Sequence, residues 1–63
     1  MTKSETRELN KLNALATIAD PGYLARAYSA LIRATRTGAS RDHMLDCAAR
    51  NPAVVAHPDF IIS

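Results

Sequence analysis

Residues 34–50 read ATRTGASRDHMLDCAAR, and the parsing of this stretch decides the fold. Gly38 and Ser40 stand between two segments whose apolar residues recur at helical spacing. Glycine is the usual residue at the left-handed position that ends a helix, and serine is a preferred N-cap. The stretch therefore predicts one helix ending near Thr37, a corner at Gly38, and a further helix over about 41–50 closed by Asn51-Pro52.

Working back from that corner, Asp20-Pro21 gives the start of the preceding helix. Asp is a good N-cap, and Pro suits a first helical position because its missing N–H would have no partner there. The helix predicted over 21–37 has two faces. Leu24, Ala27, Tyr28, Leu31, Ala34 and Thr35 fall on an apolar side with Tyr23 and Ile32 at its margins, and Arg26, Ser29, Arg33 and Arg36 gather opposite. Core packing is the expected role of both tyrosines.

Further upstream, Thr2 and Glu5 have the spacing of a capping box, in which each side chain satisfies the other residue's backbone N–H. They open a helix predicted over 3–19. Leu9, Leu12, Leu15, Ala16 and Ala19 share one stripe, and Asn10, Lys11, Asn13 and Thr17 fall outside it. Downstream of 50, Asn51-Pro52 can begin one more short helical turn, and Pro58 keeps His57 out of the helical region. Val54, Val55, Phe60, Ile61 and Ile62 form an apolar tail, which either folds back or, as the favoured expectation, docks on a second copy.

The fold expected is thus all-α: a single domain over 1–63 built as a small three-helix bundle with a C-terminal apolar tail. A chain of 63 residues buries only about 60% of its unfolded surface. Apolar residues make up 48% of this one, but twelve are alanines. Self-association as a homodimer is the expected remedy for so small a core.

The same stretch, 34–50, also raises the question of a DNA-reading helix-turn-helix. Ala34, Gly38, Met44 and Cys47 occupy the small-contact, turn and inner-face places such a unit needs. The outward residues argue against it. With Met44, Leu45, Cys47 and Ala48 inward, the third helix shows Asp42, His43, Asp46 and Arg50. Two carboxylates would approach a polyanion, and Asp46 and Arg50 have the spacing to pair with each other. Nucleic acid stays the alternative, with Arg36, Arg41 and Arg50 on phosphates or bases.

Charge distribution gives the leading expectation. Net charge is +2, but residues 21–41 hold Arg26, Arg33, Arg36 and Arg41 with no acid. This points to a non-enzymatic adaptor or inhibitor that binds another protein through Arg26, Arg33 and Arg36 together with Phe60, Ile61 and Ile62. No aromatic is interleaved with the arginines to stack bases.

Chemistry is poorly represented. His43 and Cys47 stand one turn apart, but zinc would need further ligands such as His57 and Asp59 and lacks any paired-cysteine spacing. No phosphate loop, nucleophile elbow or metalloprotease motif occurs, so no catalytic residue, metal or cofactor is expected. A lone cysteine, no signal-peptide pattern and no apolar run near 20 residues point to a cytoplasmic protein without a membrane role. In style the chain is like accessory proteins of phage, prophage or plasmid origin.

Overall fold

The computed structural model describes residues 1–36 and 38–62. They form four helices and, among the described residues, no strand: α1 (Lys3–Leu15), α2 (Pro21–Ala34), α3 (Gly38–Ala49) and the single turn α4 (Pro52–Val55). The all-α expectation holds, and Asn51 does cap a short extra turn, its side chain accepting from the Ala53 N–H.

The helix starts follow their caps. Thr2 and Glu5 make both halves of the capping box, at 2.8 Å and 3.1 Å. Asp20 accepts from the N–H groups of Gly22 and Tyr23 with Pro21 at the first helical position. The ends differ from expectation. α1 stops at Leu15 rather than 19, because Asp20 must adopt an extended conformation to serve as cap, and the preceding residues are used to turn the chain. Asp20 also precedes a proline, which itself disfavours the helical region.

The corner is also built differently. α2 ends at Ala34, and Thr35 is extended and buried, its hydroxyl donating to the Leu31 carbonyl and lying 3.1 Å from the Met44 sulfur. Gly38 is the first residue of α3 and has no left-handed conformation, and Ser40 is a buried residue inside α3 instead of its N-cap. Thr37, the predicted last residue of the second helix, lies outside the described residues. Unwinding after Ala34 also leaves that alanine exposed, not at the crossing.

The core consists of Leu9 and Leu12 from α1, Leu24, Ala25, Tyr28 and Ile32 from α2, Met44, Cys47 and Ala48 from α3, and Val54 from α4. α2 is its axis and packs against all three other helices, while α3 also packs against α4. Tyr28 is 1% exposed as expected, but Tyr23 is 41% exposed and faces solvent. Asn13, outside the apolar stripe of α1, nonetheless works inward. Its Oδ1 accepts from the Tyr28 hydroxyl at 2.7 Å, and its Nδ2 lies 3.5 Å from the Cys47 sulfur.

The tail folds back on its own chain. Phe60 and Ile62 pack against the core, so the residues assigned to an intersubunit contact are largely occupied within one molecule. The expected dimer finds no support in this arrangement. No helix among the described residues is long and apolar enough to cross a membrane.

Candidate functional site

Two turns of α2 set the geometry of the candidate site. Arg26 and Arg33 are seven residues apart, which at about 100° per residue brings them back to one line, about 10 Å apart along the axis. Ser29 lies one turn from each. Helical phase alone assigns it to the solvated arginine side, yet it is only 2% exposed, because the segment after α4 crosses directly over it. The Ser29 hydroxyl donates to the Ala25 carbonyl and accepts the Ile61 backbone N–H at 3.0 Å.

That segment, residues 57–62, is held as a strap. A turn closed by the Phe60 N–H on the His57 carbonyl, and by the Asp59 N–H on His57 Nδ1 at 3.1 Å, aims the Asp59 carboxylate at α2. Arg26 meets it at 2.9 Å. At the far end, Arg41 of α3 donates to the Ile62 carbonyl at 2.7 Å. Gly22 matters here: an added Cβ would come 2.9 Å from the Asp20 carboxylate and 3.2 Å from His57 Nε2, so the bare backbone lets the α2 cap and the start of the strap meet.

The result is a groove lined by Arg26, Ser29, Arg33, Asp59 and Ile61. Ile61, between alternating residues turned into the core, is 52% exposed. Arg33 is exposed and makes no ion pair among the described residues. The six residues expected to bind a partner are therefore divided. Arg26, Arg33 and Ile61 share this groove, and Phe60 and Ile62 anchor the strap beneath. Arg36, beyond the end of α2, lines a separate hollow with Met1, Thr2, Glu5 and Ala34. Ser29 and Asp59 were not legible as site residues, because contacts across about thirty residues of chain create both roles.

The residues of the nucleic-acid alternative are not brought together on one line. Arg41 lies in the first turn of α3 and is engaged by the strap, whereas Arg50 lies past the other end of that helix. α3 does leave Asp42, His43 and Asp46 exposed, and Arg50 is exposed in the turn after it. The expected pairing of Asp46 with Arg50 is absent, because the helix ends at Ala49 and Arg50 sits in the following turn.

Titratable groups are few. The Thr2 backbone N–H is the chief cause holding the Glu5 carboxyl below its ordinary value of 4.5. Burial pushes the Tyr28 phenol up. His43 Nε2 lies 3.9 Å from the Cys47 sulfur and His57 Nδ1 lies 3.8 Å from the Asp59 carboxylate. These remain separate pairs: among the described residues no three His, Cys, Asp or Glu side chains group around a metal position.

Comparison of the chain with protein-family models, with curated proteins and with solved structures finds no match.

Proposed function

We propose that this is a small non-enzymatic helical protein of the reducing cytoplasm that acts by binding another protein, as an adaptor or inhibitor. The observation that carries the reading is the grouping of two arginines of α2 around a half-exposed isoleucine. Arg26 and Arg33 flank Ile61 in one groove. An exposed cation row alone is an ordinary solvated face, but cations bordering an exposed apolar side chain match the anatomy of a docking patch, with an apolar centre and a polar rim. With Arg26 paired to Asp59, Arg33 is the cation that gives that rim a preference for an acidic partner.

The experiment is affinity capture in the native host with wild type and with Arg33→Glu and Ile61→Glu. A partner held here loses about tenfold or more in recovery with either change, the size expected when a central contact is lost. An identical set of captured proteins would remove the groove from the function. A duplex-DNA titration at two salt concentrations addresses the nucleic-acid alternative, because phosphate contacts must weaken steeply as salt rises.

A further inference from the structure

The strap itself indicates what the groove selects. Its acidic residue, set in the turn that His57 closes, meets Arg26, its backbone N–H at Ile61 is accepted by Ser29, and its carbonyl at Ile62 is held by Arg41. Those three anchors belong to α2 and α3, and they read features another chain could supply: one carboxylate, then a backbone donor and a backbone acceptor, with apolar side chains among them. We infer that the α2–α3 surface under the strap is a receptor for an acidic-then-apolar peptide segment that enters through a turn, and that residues 59–62 are its built-in competitor. This rests on the proposed docking at Arg26 and Arg33, with the partner's own apolar residue taking the place that Ile61 of the strap holds in the free chain.

The anchoring makes displacement feasible. Its polar anchors are hydrogen bonds to backbone and an ion pair with side chains 62% and 45% exposed, a class that holds only weakly, and the packing of Phe60 and Ile62 on the core is what a competing segment replaces with its own apolar residues. The strap's advantage is its tether, which supplies an effective concentration in the millimolar range. A segment in trans meets a site that is open only a fraction of the time, and its apparent affinity falls by that fraction. Weakening the strap without touching the receptor side must therefore strengthen binding in trans.

The test uses the full chain and a fluorescent peptide carrying the sequence of residues 57–62, HPDFII, so that the turn closed by His57 is included. Anisotropy is measured for wild type, for Asp59→Ala, which removes the strap's carboxylate from Arg26, and for Asp59→Ala combined with Arg26→Glu. Phe60→Ala serves as a second loosened strap, and circular dichroism confirms that each variant remains helical. The expected result is binding about tenfold tighter to both loosened chains than to wild type, lost with Arg26→Glu and lost when the peptide's own Asp is changed to Lys. Equal binding to wild type and loosened chains, indifference to the Arg26 change, or no binding at about 1 mM peptide would overturn the inference. In those cases the docking function still stands if host capture remains sensitive to Arg33 and Ile61, so the two failures are distinguishable.

Discussion

Single residues decide how this chain turns its corners, and the two glycines do so in opposite ways. Gly38 sits at the start of α3 with no atom within 4 Å of an added Cβ and no left-handed backbone. Gly38→Ala should therefore stabilise the protein by about 0.5–1 kcal/mol, as removal of a flexible helical glycine does. Thermal denaturation checks this, and a loss of similar size would restore the left-handed cap that the sequence suggests. Gly22→Ala should destabilise, because the new methyl meets the Asp20 capping carboxylate at 2.9 Å. Glycine before serine reads as a helix end in sequence, and here it does not because Thr35 ends α2 earlier. Its side-chain bonds to Leu31 and Met44 depend on a contact the local sequence does not display. The capping box at Thr2 and Glu5 was legible because it is wholly local. Since the Glu5 carboxyl is held below 4.5 in the fold, its contribution is present above that pH and is lost as pH falls through its lowered value. Acid titration of helicity should show this loss in wild type and not in Glu5→Gln.

At the scale of elements, α1 is the least secured of the three long helices. It contributes Leu9 and Leu12 to the core and packs chiefly on α2, with Asn13 as its polar staple to Tyr28 and Cys47. Tyr28→Phe and Asn13→Ala should each cost about 0.5–1.5 kcal/mol, the range of one side-chain hydrogen bond, and the double variant should cost less than their sum. Additivity in denaturant melts would remove the staple. In native-state hydrogen exchange the amides of α1 should open below the global unfolding free energy, and those of α2 at it. The existence of α1 and α2 was readable because their leucines and tyrosines keep a period near 3.6. Their ends were less so, since Ala16 and Ala19 suit a helix but lie in the reversal. α3 is weakly patterned, with alanines exposed at 39 and 49 and a serine buried at 40.

For the whole molecule, the strap is what sequence patterning could not place. It buries Ser29, pairs Arg26 and leaves Ile61 outward, so the exposed surface differs from the arginine ridge that helical phase predicts. Because Phe60 and Ile62 complete the core within one chain, we expect a mass of 6.8 kDa in light scattering at micromolar concentration; a stable dimer would show that the exposed apolar residues pair between copies. The groove of Arg26, Arg33 and Ile61 is the face we propose to meet a partner. Photo-crosslinking in the native host from a probe placed at Ile61, and from the same probe at Asp46 on the outward face of α3, tests it most directly. We expect a discrete crosslinked partner from Ile61 that is lost with Arg33→Glu, and none from Asp46. A partner captured from Asp46 and not from Ile61 would contradict that expectation.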